Sequence, residues 1–267
     1  MGFSILGFML LNIALVHYFS KLKKSQTPKN AKFLKFTMIT SSVLSLWAIS
    51  ELFNQSTTTV NTVTTIVFSL LVLSISATFS FFLATRKTPV GDLKVNVNDA
   101  ILPFKTSEFD SESLQGKRTL LKFYRGSWCP YCSAELIMFE ALQPKLAEYG
   151  VDIVGISNDS VADIEAHLVR DNISHTLISD SKLDIIRQYG VEHHKALSAN
   201  ANDTINVFGI AMPMPWKMKY RPMAIPTSLL IDESGKIVWI DQSDDYRLRA
   251  SEDSILSALK ANFSSNS

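Results

Sequence analysis

The sequence predicts an α/β domain with a mixed sheet, preceded by an all-α membrane region of three transmembrane helices. Three observations carry this. Hydrophobic residues make up 46% of the 267-residue chain and crowd into its first third. From Phe36 to Thr85 there is no Lys or Arg, and Glu51 is the only ionisable side chain. After that point, short apolar runs alternate with segments of helical spacing, the pattern of strands and helices layered on one sheet. The net charge of +1 gives no global attraction for nucleic acid.

The membrane region is expected over residues 1–87, with spans at about 3–20, 33–53 and 60–84. Each is near the roughly 20 apolar residues that a spanning helix needs. Their Ser and Thr hydroxyls are tolerable there, because they bond helix backbone or neighbouring helices. The first stretch lacks a basic leader and two more spans follow it, which argues against a signal peptide. Lys21, Lys23, Lys24, Lys29, Lys32 and Lys35 crowd the first loop, residues 54–59 carry no Lys or Arg, and Arg86 and Lys87 follow the third span. The positive-inside rule then puts the first loop and the following domain on the cytoplasmic side, with a bacterial plasma membrane as the expected location.

Residues 88–98 read as a connector and 99–263 as the folded domain. Thr119–Tyr124 is a strand and Pro130–Tyr149 a helix, with Leu136, Ile137, Phe139, Leu142 and Leu146 at helical spacing. Val151–Ser157 is apolar enough for a central parallel strand. A helix at Val161–Asp171, a short strand at Thr176–Ser179 and a helix at Leu183–Tyr189 follow, the last stopped by Gly190. Ser228–Ile231 and Lys236–Ile240 flank a turn and read as a hairpin, and Glu252–Phe263 closes the domain as a helix. Residues 190–226 break the pattern and read as a long loop, either a surface excursion or a lid. His193 and His194 are expected to be solvated there, His167 and His175 to lie on the surface, and Asp241, Asp244 and Asp245 to form a solvated connector.

The chain has two cysteines, Cys129 and Cys132, in FYRGSWCPYC at residues 123–132. A redox dithiol, half of a metal site and a peroxide-reducing thiol all fit two cysteines at this spacing. Strand–CxxC–helix context favours redox work. A helix N-terminus offers free N–H groups and partial positive charge, and both stabilise the thiolate nucleophile. Pro130 suits the first helical turn. Cys129 is expected at the exposed tip as the attacking thiol, with Cys132 beneath it to close the disulfide. Trp128 is expected to shield the nucleophile, and Tyr131 to shape the loop and touch substrate. Zinc would need two more ligands, such as His193 and His194, and a strand–helix junction is poor zinc-site context.

FYRGSWCPYC, VDIVGISNDS (151–160), LISDSKLDIIRQYGV (177–191) and IPTSLLIDESGKI (225–237) together resemble the alkyl hydroperoxide reductase/thiol-specific antioxidant, or peroxiredoxin-like, proteins of the thioredoxin fold. The resemblance covers about residues 91–262 and implies a thioredoxin-like domain. The CPYC tetrapeptide also resembles that of glutaredoxins. In thioredoxin-like proteins a cis-proline faces the CxxC, and the matching position is Pro226, followed by Thr227. Peroxiredoxins carry Pro-x-x-x-Thr/Ser-x-x-Cys. Here Cys132 matches the peroxidatic cysteine, Cys129 stands at the Thr/Ser position and Arg125 at the proline. The family's later arginine should fall where Pro226 stands, with Arg221 nearby in sequence. Lys122 occupies the place of the buried acid of small thioredoxins.

The resulting expectation is a membrane-anchored thiol–disulfide oxidoreductase. Its Cys129–Cys132 dithiol would reduce protein or small-molecule disulfides and be recharged by an external thiol donor, without cofactor or metal. Partners would be those substrates and the lipid bilayer, with no nucleic acid. The alternatives are a thiol peroxidase acting through a cysteine sulfenic acid and a non-enzymatic redox-sensing or binding module.

Overall fold

The computed structural model describes residues 1–54 and 56–264. The chain divides into two compact units, one of Met1–Leu22 with Thr27–Arg86, the other of Lys23–Gln26 with the chain from Lys87 onward.

The first unit holds α1 (Gly2–Lys23), α2 (Lys32–Asn54) and α3 (Thr59–Ala84), each long and apolar enough to cross a membrane. At 1.5 Å per residue, even the shortest spans about 33 Å, enough for a hydrocarbon core of about 30 Å. Small polar residues point inward: Ser4, Ser41, Ser45, Thr65 and Ser69 are fully buried. Large apolar ones point outward, with Phe36 70%, Ile39 65% and Leu70 55% exposed. That inversion suits a lipid solvent, where close backbone approach and hydroxyl bonds hold helices together. Gly7 permits the approach, because a Cβ there would lie 3.0 Å from the Ser41 carbonyl oxygen. The Ser69 hydroxyl donates to the Ser45 carbonyl at 3.3 Å.

The second unit is a mixed sheet with helices. Its elements are β1 (Arg118–Phe123), α4 (Pro130–Ala147), β2 (Val151–Ser157), α5 (Val161–Asp171), β3 (Thr176–Ser179), α6 (Asp184–Gln188), β4 (Glu192–Ser198), β5 (Thr204–Val207), β6 (Ile210–Pro213), β7 (Lys219–Ala224), β8 (Thr227–Ile231), β9 (Ile237–Gln242) and α7 (Glu252–Asn262). The five-stranded sheet runs β3-β2-β1-β8-β9. β1 pairs parallel with β2 and antiparallel with β8, so Leu121 faces Val154 on one side and Leu229 on the other. Side chains alternate across β1. Leu120 and Tyr124 join the core that holds both cysteines, Leu136, Phe139 and Leu259. Leu121 and Phe123 join the opposite core with Ile156, Tyr189 and Ile231. Lys122 therefore points, with Leu120 and Tyr124, toward the cysteine side.

Residues 190–226 are not a loop. β4 and β7 form an antiparallel ladder, and β5 and β6 a hairpin. Phe208 and Gly209 turn the hairpin with φ of 52° and 77°, as a tight two-residue turn requires. The β4–β7 ladder joins segments far apart in sequence, has a bulge between His193 and Ala196, and carries Pro222, so local periodicity does not announce it. Gly190 does end the segment after α6: its φ is +69°, and a Cβ would meet the Asp92 carbonyl oxygen at 1.9 Å.

Candidate active site

β1 delivers the chain to Tyr124, and Arg125–Trp128 carry it into α4. Gly126 makes this turn at φ +141°, where a Cβ would clash at 2.7 Å with both the Asp159 carboxylate and the Trp128 ring nitrogen. Cys129 is the helix N-cap and Pro130 opens the first turn. The Cys132 and Ser133 N–H groups both donate to the Cys129 carbonyl, at 3.0 and 3.1 Å. Both thiols are free.

Neither sulfur lies at an exposed tip. Cys129 is 1% and Cys132 0% exposed, because the loop and β4–β7 close over the helix end. Trp128 is itself only 5% exposed and packs in the same core as both cysteines, Ala196 and Met223. Arg125 is the centre of this cover. Its guanidinium lies 4.0 Å from the Tyr246 ring centroid and 5.1 Å from that of Trp128. It also donates to the Leu197 carbonyl and, through Nε, to the Met223 sulfur at 3.1 Å. Tyr131 stacks edge-on against Tyr246, 5.9 Å between centroids.

Cys132 is the better supplied sulfur. Its Sγ accepts from the Arg125 backbone N–H at 3.4 Å and from Arg249 Nη2 at 3.3 Å. Burial alone would raise this thiol, but the Cys129 thiol, Arg249 and Arg125 outweigh it and hold Cys132 well below the ordinary range. Burial raises Cys129, and its bond to the charged Cys132 raises it further. The contacts therefore favour Cys132 over Cys129 as the sulfur that ionises. The helix N-terminus and both arginine charges act on both thiols; the direct contacts from Arg249 Nη2 and the Arg125 N–H fall on Cys132.

Arg249 is in turn fixed by Glu135. Arg249 Nε lies 2.8 Å from Glu135 Oε2, and Lys122 Nζ lies 2.7 Å from Glu135 Oε1. Lys122 also donates to Ser228 Oγ at 3.0 Å. Small thioredoxins carry a buried acid at the place of Lys122; here the buried acid is on α4, and β1 supplies its cation. Arg221, the sequence neighbour of the expected arginine position, bonds Asn200 at the surface instead.

Pro226 directly precedes β8, which Thr227 begins opposite Phe123 of β1. No described peptide bond is cis. The Ile225 N–H already donates to the Val191 carbonyl at 2.6 Å, so this backbone is not open to a substrate strand. Thr227 bonds Ile225 and Gln242.

The histidines divide differently from expectation. His167 and His175 are buried, 1% and 7% exposed. His167 Nε2 lies 3.2 Å from Ser133 Oγ and 3.0 Å from Asp171, and His175 pairs with Glu140. His193 is a half-buried strand residue, held to about 4 by burial and by the charge of Arg125. Among the described residues no group of three or more His, Cys, Asp or Glu side chains gathers to hold a metal. Asp245 is also buried rather than solvated, in an ion pair with Arg247 at 2.6 Å.

Asp159, at the end of β2, pins the cysteine loop by accepting the Ser127 N–H at 2.7 Å. Burial outweighs that bond and raises Asp159 to about 6. The folded chain thus holds a proton between roughly pH 4 and 6 that the unfolded chain releases, so stability falls as pH rises through this window. An Asn at 159 keeps an acceptor for Ser127 without the charge. Asp159→Asn is expected to gain up to about 3 kcal/mol at pH 7 and nothing below about pH 4, measured by denaturant titration at the two pH values.

The sequence pattern of the AhpC/TSA family matches residues 89–240. Arg249 lies beyond the last matched residue. A putative peroxiredoxin Bcp of Coxiella burnetii is 33% identical over 130 residues, 48% of this chain and 74% of its own. Peroxiredoxin Bcp of Escherichia coli is 27% identical over 146 residues, 55% of this chain and 80% of its own. Thiol-disulfide oxidoreductase ResA of Bacillus anthracis is 27% identical over 173 residues, 63% of this chain and 81% of its own. Among solved structures, peroxidoxin BcpB of Mycobacterium tuberculosis superposes with a TM-score of 0.47 at 22% identity, covering 64% of this chain and 99% of its own. With more than half its length matched, and with a buried thiol pair at the head of the helix after β1, the chain belongs to the AhpC/TSA family of thiol-dependent oxidoreductases.

Proposed function

We propose that the chain is a membrane-tethered thiol–disulfide oxidoreductase in which the Cys132 thiolate attacks and Cys129 resolves. The observation that carries this reading is the asymmetry of the pair: one sulfur is held as thiolate by Arg249 and the Arg125 N–H, and its neighbour is held protonated. Cys132 attacks one sulfur of a substrate disulfide and expels the other as a thiolate. Cys129 then loses its proton, attacks Cys132, and releases the second substrate thiol. An external thiol returns the pair to the dithiol. The burial of both sulfurs favours small disulfides over protein ones. The Lys-rich first loop supports a cytoplasmic domain on a bacterial plasma membrane, where the resting form is reduced.

Hydroperoxide reduction is the second reading. Burial favours it too, since a peroxide oxygen needs little space, and Arg249 stands beside the sulfur where a leaving hydroxide or alkoxide would gather charge. Cys132 would become a sulfenic acid, and Cys129 would condense with it to the same disulfide. A steady-state comparison of hydroxyethyl disulfide, oxidised insulin and hydrogen peroxide, with excess dithiol as reductant, separates these readings. The lead reading expects turnover in the order small disulfide, then insulin. Peroxide turnover exceeding both by more than an order of magnitude would move the chain to the second.

A further inference from the structure

The residues in contact with Cys132, and those ion-paired to them, carry three buried cations and one buried anion. Lys122 and Arg125 are 1% and 3% exposed, and the Arg249 side chain is 3% exposed. Against these three cations stands Glu135, fully buried and shared by Lys122 and Arg249. Two further buried acids stand outside this set: Asp159 accepts the Ser127 N–H and keeps its charge, and Asp245 is paired with Arg247. His193, which feels Arg125, is held neutral at pH 7. In the dithiol state the Cys132 thiolate is the second anion of the cluster. On oxidation it disappears: the Cys129 thiol and Cys132 thiolate yield a disulfide, one proton and two electrons. With glutathione disulfide as acceptor, one further proton is taken up and two glutathione thiols form. Oxidation therefore removes one of two negative charges from a low-dielectric site that keeps all three positive ones.

We propose that this buried imbalance sets the redox poise of the site, raising its reduction potential above that of the same dithiol without it, with Lys122 and Glu135 acting on the potential from opposite sides. A site that stabilises its reduced thiolate in this way has a raised reduction potential. Lys122 touches neither sulfur in the ion-pair chain; it acts through Glu135, as a positioning and charge-setting residue. Its place on β1 is dictated by strand alternation, which turns it with Leu120 and Tyr124 toward α4. The inference rests on the proposed cycling of Cys129 and Cys132.

The test is the equilibrium of the full chain, in lipid nanodiscs, with graded glutathione and glutathione disulfide at pH 7. The oxidised fraction is read by mass after acid quench and alkylation. Lys122→Met removes a cation and is expected to shift the equilibrium at least ten-fold toward the disulfide, a potential lower by about 30 mV. Glu135→Gln keeps the shape and an acceptor for Arg249 while removing the anion; a several-fold shift toward the dithiol is expected. Opposite signs distinguish charge balance from damage to packing. Should Lys122→Met fail to fold, the Glu135→Gln result decides alone. Shifts of the same sign, or a Glu135→Gln protein that matches the parent, overturn the inference while leaving the cycling intact. A pair that closes to no disulfide in any buffer overturns the reading beneath it, and the inference with it.

Discussion

Replacing Cys132 by Ser is expected to abolish turnover of every substrate, whereas Cys129→Ser is expected to leave one round of reaction and then stop. The first variant loses the group held as thiolate by Arg249 and Arg125, and a hydroxyl does not ionise in its place. A loss of at least about 1,000-fold is expected, the scale on which removing a nucleophile acts in other enzymes. In the second variant the thiolate remains, so the first bond forms. Without Cys129 there is no resolving thiol, and the product with a disulfide substrate is a stable mixed disulfide at Cys132. Intact-mass measurement detects it as a single adduct per chain. The expectation from sequence alone, with Cys129 as attacker, gives the opposite assignment, with the adduct on Cys129 in the Cys132→Ser protein.

Arg249→Met is expected to leave the fold assembled and the thiolate unsupported. Two consequences follow from one side chain. Cys132 loses the closest charge that opposes its burial, so the thiol protonates at neutral pH and activity falls on the order of 10- to 100-fold. The pH dependence then changes. The parent, with its thiol lowered, is expected to show a flat rate near neutrality, whereas the variant is expected to gain rate as pH climbs through its raised thiol pKa. Glu135 loses one of its two buried cations as well and retains Lys122 at 2.7 Å. Breaking one partner from a buried ionic group costs about 3–5 kcal/mol when the charge is left unpaired, and less here because Lys122 remains. A denaturant midpoint lowered with a rate that recovers at high pH is the joint signature. Arg249→Lys is expected to behave nearly as badly, because one ammonium lacks the planar fork that reaches Glu135 and Cys132 together.

Much of the fold was legible because its signals are local. The apolar run over β1, the CxxC with Pro130 at the helix start, and Gly190 after α6 each state a structure within a few residues. The mixed sheet follows from their alternation. What stayed hidden is non-local. β4 and β7 carry no clean alternation and recognise each other only through a ladder between distant segments. Arg249 lies 117 residues from the sulfur it touches, and nothing in its neighbourhood marks it as special. Glu135 did leave a trace: it sits with Leu136, Phe139 and Leu142 on the buried side of α4, where an acid needs a partner. Lys122, noted only as the wrong residue for a thioredoxin-like acid, is that partner. The two observations explain each other once strand and helix are packed. His167 and His175 differ from the surface expectation because a histidine beside a polar helix face looks solvated until the facing element, α4 with Ser133 and Glu140, is in place.

Which sulfur ionises decides the order of attack and resolution. Thiolate absorbance near 240 nm, followed against pH in the Cys129→Ser and Cys132→Ser proteins, reads this without requiring a reagent to reach a buried site. Cys129→Ser, which retains Cys132, is expected to show its absorbance step well below the ordinary thiol value of about 8.5, and Cys132→Ser to show none in that range. An early step in Cys132→Ser and a late one in Cys129→Ser would contradict the account and return the thiolate to Cys129.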